Sequence, residues 1–436
     1  MTPSVKSATH LEPQAHSRMP CRTTLAIFLP VCILALTAKL ALSLTTYGSN
    51  DMLTWEADLR KVQADQSLAL YRDGSIPVWH GKPFNAEPFN HPPFMIHVLQ
   101  AWGAASNVTG LPLRVWLRAT CALADFAMFW LVWGILEAEG LPVRLPMLFL
   151  LAVSPVSILV SGFHGNTDPI LMLFVVLSVY LIAAGRPVWL AGAALGMALN
   201  VKVVPVIFLP AILLYLATSR RRVEYCLAAA VVFLAGSVPY LIQDPWLVIR
   251  GVFGYQPVRG YWGLPEIADL ISRQALTVYL AIGKPVALCG VLLASLWVHF
   301  REPRTSLFLP CGFIAFLFLF LTSGFGPQYL AWIVPWWVAL PWKNVRFHYT
   351  AAAAYIIAFY AVWSRGGWYM ANANPMTNPN APPGLLWLIL VQVACWISVG
   401  LVVLAYGRQL QMKLRQSGSE LSNLVPQNIN LQKRQN

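Results

Sequence analysis

From Thr23 to Leu44 the chain reads TTLAIFLPVCILALTAKLALSL, with Lys39 as its only charge. A second run, Pro383 to Tyr406, carries no charge at all. A hydrocarbon core roughly 30 Å thick takes about 20 apolar residues in a helix. Lipid offers no partner to backbone polar groups outside such a helix. These runs therefore predict an all-α, polytopic membrane helical bundle. Composition agrees: only 11% of the residues are charged, against about 25% in soluble domains.

Twelve apolar runs are expected to span: 23–44, 113–137, 143–161, 170–185, 188–201, 203–217, 224–242, 277–299, 306–323, 328–341, 349–364 and 385–406. A further run, 93–106, opens on Pro92-Pro93 and is short, which fits an interfacial or re-entrant segment. Parity supports leaving it out. With twelve spans, Arg186, Arg220 to Arg222, Arg301, Arg304, Lys343 and Arg346 all face the cytoplasm, as basic residues prefer. A thirteenth span would turn each of them outward.

The resulting organisation has a cytoplasmic N-terminal segment (1–22), a transmembrane domain (23–406) and a basic cytoplasmic tail (407–436), polar and mobile from 412. The outer loops are 45–112, 162–169, 243–275, 323–328 and 365–384. The first apolar run exceeds the 7–15 residues of a signal-peptide core and reads as an uncleaved span. The +13 net charge is scattered beside spans, so it sets topology and does not point to nucleic acid. Seven cysteines follow no metal or disulfide spacing and read as small core residues. No Gly-rich phosphate loop, HExxH or CxxC occurs.

The polar features gather on the outer side. In the first outer loop, Met52, Trp55, Leu59 and Val62 form one stripe of a helix lying along the membrane surface. Asn50-Asp51 at its start reads either as a helix cap or as a binding residue beside a carboxylate that takes a proton from a hydroxyl. Glu56 is a second acid, and His91 in FNHPP is either a sugar contact or a turn residue. In HGNTDP (164–169), Asp168-Pro169 has the form of a helix start. A cap does not explain His164 and Asn166. Lys202 sits between two apolar runs, where a lysine either snorkels or finds an anion such as a lipid phosphate. Arg118 and Asp125, seven apart on one span, are expected to pair. Arg250 and Arg259 stand among aromatic residues in 243–275, suited to phosphate or headgroups, and Gln328-Tyr329 opens a later span.

Taken together, the long first outer loop with its early acid, the HPP element and the outer polar motif before a span resemble class C (GT-C) membrane glycosyltransferases. HGNTDPILMLFVVLSVYLIAAG, ALNVKVVPVIFLPAI and GPQYLAWIVPWWVAL are similar to segments of the first mannosyltransferase of GPI-anchor synthesis. The resemblance implies transfer of a hexose, mannose favoured, from a polyprenyl-phosphate sugar to a glycan, glycolipid or protein acceptor. The reaction would be inverting and placed at the outer face of the cytoplasmic membrane or the luminal side of an internal one. It makes Asp51 the general base. His164, Asn166, Asp168, Lys202, Gln328 and Tyr329 fall in matching motifs. Where that enzyme has an acidic DxD-type loop, Asn50-Asp51-Met52 supplies one acid. No cofactor is therefore certain, and a divalent metal stays open. The competing expectation is a transporter or flippase of lipid-linked sugars, which should show repeated halves; no internal repeat is found.

Overall fold

The computed structural model describes residues 22–79, 82–83, 86, 88–254, 262–301, 306–365, 370–371 and 385–432. Helix α1 (Arg22–Thr45) leads through strand β1 (Gly48–Ser49) to α2 (Asp51–Gln63) and α3 (Ser67–Asp73). A short pair, β2 (Val78–Trp79) and β3 (Lys82–Pro83), precedes α4 (Phe94–Thr109) and α5 (Leu113–Ala138). Then come α6 (Leu145–Ala152), α7 (Pro155–Leu159), a π-turn (Val160–His164), α8 (Asp168–Ala183) and α9 (Val188–Val201). Short helices follow: α10 (Leu209–Tyr215), α11 (Ser219–Ala235), α12 (Val238–Gln243), α13 (Pro245–Phe253) and α14 (Leu264–Ile271). The chain finishes with α15 (Arg273–Arg301), α16 (Phe308–Leu321), α17 (Trp342–Trp363), β4 (Ser364–Arg365), β5 (Met370–Ala371) and α18 (Leu385–Gln432). Among the described residues every strand is two residues long, so the fold is an all-α bundle.

Among the described residues, five helical stretches are long and apolar enough to cross a membrane: Ala26–Thr45, Leu113–Ala138, Leu145–His164, Arg273–Arg301 and Leu386–Met412. Four shorter apolar helical stretches are Asp168–Ala183, Val188–Val201, Val204–Tyr215 and Phe308–Leu321. Large apolar side chains such as Leu34, Val231, Leu293 and Trp387 point outward, the face a membrane protein gives to lipid. Inside, α9 lies directly against α11. A Cβ on Gly192 or Gly196 would meet the carbonyl oxygens of Tyr225 and Ala229 at 2.3 and 2.6 Å. Small residues four apart let membrane helices approach this closely.

Two expectations change. Residues 328–341 do not form an α-helical span; they are 3-10 turns, Pro327–Trp332 and Trp337–Ala339, with every residue from Tyr329 to Leu340 buried. Non-helical backbone at such a depth is tolerated only where protein covers it. Helix α18 continues past 412 to Gln432. The helix at 51–63 does carry the predicted stripe, but Met52, Trp55 and Val62 are buried against protein, so it belongs to the core. The doubtful run 93–106 is α4, sixteen residues long.

Candidate active site

Three breaks in the helices meet at one end of the bundle. After α1, the chain turns through Gly48 and Ser49 into α2, which puts Asp51 in the first turn of that helix. After α7, the π-turn widens the helix and presents His164, and Gly165 (φ +86°) turns the backbone into the left-handed region. A Cβ there would meet Met52 Sδ at 2.3 Å, so glycine is needed for conformation and for the approach of α2. Beyond α9, Lys202 takes an extended conformation at the helix end.

The side chains form one connected network. Asn166 Nδ2 donates to Asp51 Oδ2 at 2.6 Å. Asn166 Oδ1 accepts from Lys202 Nζ at 2.9 Å and from the Thr167 amide at 2.7 Å. Lys202 can only donate, which fixes the orientation of the Asn166 amide. Lys202 Nζ also pairs with Asp168 Oδ2 at 2.9 Å, and Trp332 Nε1 donates to Asp168 Oδ1 at 2.6 Å. His164 Nε2 stands 3.3 Å from Asp51 Oδ2, an ion-pair distance, but it is not aligned as a hydrogen bond and stays a buried atom without one. On the other side of the ring, Nδ1 meets the Tyr360 hydroxyl at 2.7 Å. Ser49 Oγ donates to the His164 carbonyl at 2.6 Å, which ties β1 to the π-turn.

Exposure separates two carboxylates. The Asp168 side chain is fully enclosed, whereas that of Asp51 is 27% exposed. Burial pushes the Asp51 carboxyl up; the charge and contact of His164, the Asn166 amide and the Lys202 charge together outweigh it, and the carboxyl falls below its ordinary range. Both contacts just described fall on Oδ2, which leaves Oδ1 outside the network.

His91 is held nearby. Its Nδ1 lies 2.8 Å from the Val201 carbonyl, which can only accept, so the proton is on Nδ1. Burial, with the Lys202 charge added, pushes this imidazole down to about 3. It is therefore neutral, with Nε2 as an acceptor.

Other expected residues fall differently. Asp168 is no helix cap: Thr167 occupies that position, and the carboxylate bonds outside its own helix. Asn50 precedes α2 without a side-chain cap bond. Glu56 accepts from the Tyr47 hydroxyl, apart from the Asp51 network. Tyr329 stacks on Trp332 at 4.1 Å and so backs Asp168, while Gln328 keeps a buried Oε1 without a hydrogen bond. Arg250 is exposed on α13 and makes no ion pair among the described residues. Arg259 lies outside the described residues.

Arg118 and Asp125 are served by separate partners. Asp125 binds Lys39 of α1 and Ser157 of α7. Arg118 donates to the carbonyls of Ser43, Thr46, Arg114 and Phe163 and to the Thr46 hydroxyl. It thus staples the end of α1 to the π-turn below His164.

Residues 160–243 match the family described as mannosyltransferase (PIG-M). Over that stretch the chain is similar to the PIG-M mannosyltransferases. The PIG-M match takes in His164, Asn166, Asp168 and Lys202, and leaves Asp51, Trp332 and Tyr360 outside it. ArnT from Cupriavidus metallidurans, a crystal structure in the apo state, is similar at 14% identity, over 90% of this chain and 76% of that one, with a TM-score of 0.46. No curated protein matches the chain.

Nothing in the sequence singles out Tyr360, Trp332 or Ser49. The first two are aromatic residues in apolar runs, where nothing in the local sequence separates a polar contact from packing. Among the described residues, no three His, Cys, Asp or Glu side chains gather as a metal site.

Proposed function

We propose that this integral membrane protein is a glycosyltransferase that moves a hexose, mannose favoured, from a polyprenyl-phosphate donor to an acceptor hydroxyl, with inversion. The observation that carries the reading is the unequal pair of carboxylates. Asp51 is held ionised and partly open, while Asp168 is enclosed by Trp332 and Lys202. One available carboxylate suits a single displacement. The acceptor oxygen attacks the anomeric carbon, Asp51 Oδ1 takes its proton, and the sugar–oxygen bond to phosphate breaks with its electron pair leaving on the lipid phosphate. Phosphate is a stable anion and needs no protonation to leave. His91 Nε2 offers an acceptor for a sugar hydroxyl.

Lys202 has one N–H left for the departing phosphate, since two are given to Asn166 and Asp168. Its charge, however, is matched by Asp168.

The outer membrane face is part of the proposal. What supports it is helix α8, which starts at Asp168, runs about 24 Å and ends just before the basic connection at Arg186. Basic connections favour the cytoplasm.

The test is transfer by purified protein given a defined polyprenyl-phosphate hexose and candidate acceptors. Asp51→Asn should cut turnover by about a hundred-fold or more in a folded protein. Near-normal turnover would remove Asp51 from the base role. Vectorial movement of the lipid-linked sugar without bond formation would replace the transferase with a carrier.

A further inference from the structure

A departing lipid phosphate needs positive charge, and the cations lining the Asp51 network are already engaged. Lys202 faces Asp168, and the five donors of Arg118 meet four carbonyls and a hydroxyl. Arg114, one turn nearer the start of α5, differs. It is half-buried, its guanidinium lies 5.1 Å from the centre of the Tyr47 ring, and it makes no ion pair among the described residues. Its Nε is buried without a hydrogen-bond partner, so the guanidinium is not satisfied by the protein around it. Helix side chains lean toward the N-terminus. Arg114 itself belongs to the first turn of α5, where Pro112 provides no side-chain cap and the helix dipole favours an anion.

The position fits the proposed chemistry. Tyr47 precedes Asp51 by four residues, so their Cα atoms lie within about 14 Å of each other. Glu56, on the same wall, is engaged by the Tyr47 hydroxyl.

We propose that Arg114 is the receptor for the phosphate group of a lipid phosphate, with the Tyr47 ring holding the guanidinium face and the Nη edge gripping two phosphate oxygens. The inference rests on the transferase reading for its biological direction, but phosphate binding can be measured without turnover. Full-length protein in phosphatidylcholine nanodiscs would be titrated with polyprenyl monophosphate and, separately, with inorganic phosphate, following tryptophan fluorescence. The wild type should bind the lipid phosphate, and Arg114→Gln should weaken it by about ten- to a hundred-fold. Arg114→Lys keeps the charge and loses the fork, so its affinity should fall between the two. It also decides the matter if the glutamine variant does not fold. Unchanged affinity in the folded variants would overturn the proposal. So would a wild type that takes inorganic phosphate through Arg114 and ignores the lipid phosphate. Arg114-dependent lipid-phosphate binding without any hexose transfer would sink the transferase reading and leave this site standing.

Discussion

Asp51 has its carboxyl held below the ordinary 3.8 against the opposing pull of burial. A carboxyl depressed by folding contributes stability above its unfolded value and loses it as pH falls through the folded one. Transfer should therefore persist on acidification to about pH 4 and fail only below that. In Asn166→Ala the acid limb should move to higher pH. Coincident limbs in the two pH–rate profiles would show that Asn166 does not act on the carboxylate. Tyr360 acts one step further back, on His164. Tyr360→Phe should lower kcat roughly ten-fold with KM nearly unchanged; a rise in KM alone would make it a packing residue. At this scale the sequence exposed the polar members of the cluster, because a helix cap does not account for His164 and Asn166 and a lysine between apolar runs must either snorkel or find an anion. Tyr360 gave no such signal, since an aromatic residue in a span looks the same whether its hydroxyl is used or not.

Helices α1, α5 and α7 are tied by Lys39, Asp125 and Ser157, with Lys39 also 4.8 Å from the Phe129 ring centre. Removing one partner of a buried ion pair strands the other charge, at a cost of about 3–5 kcal/mol, whereas replacing both with apolar residues is often neutral. Lys39→Met should thus lower the melting temperature in detergent, and adding Asp125→Leu should restore much of it. A double variant as unstable as the sum of the single ones would show that the pair is not coupled. Spacing along one helix suggested Arg118 as the partner of Asp125. That reasoning sees only one helix face and cannot see the ammonium brought in from α1. Residues 328–341 misled for a related reason: hydropathy reports burial, and buried 3-10 turns are as apolar as a span.

For the whole molecule, the testable property is orientation. Gln66 and Lys343 are both exposed, and Lys343 begins the helix whose far end carries Tyr360, about 26 Å away. In a background without other cysteines, Gln66→Cys should react with an impermeant maleimide in intact cells, and Lys343→Cys only after permeabilisation. The reverse pattern would put the site on the cytoplasmic side.

The bundle class was legible from the length of the apolar runs and the scarcity of charge, and the convergence of three helix breaks was not, because it depends on which breaks share an end. Their order along the chain bears on biogenesis. Lys39, Arg118, Asp125 and Ser157 all belong to the first 157 residues, while Trp332 and Tyr360 reach the cluster near the end. A ribosome adding about 5–20 residues per second needs roughly 15–60 s to travel from Asp51 to Tyr360. During that interval the membrane holds an assembled brace around an unfinished site, and a nascent chain released early carries Asp51 and His164 without the hydroxyl that Tyr360 places on the imidazole.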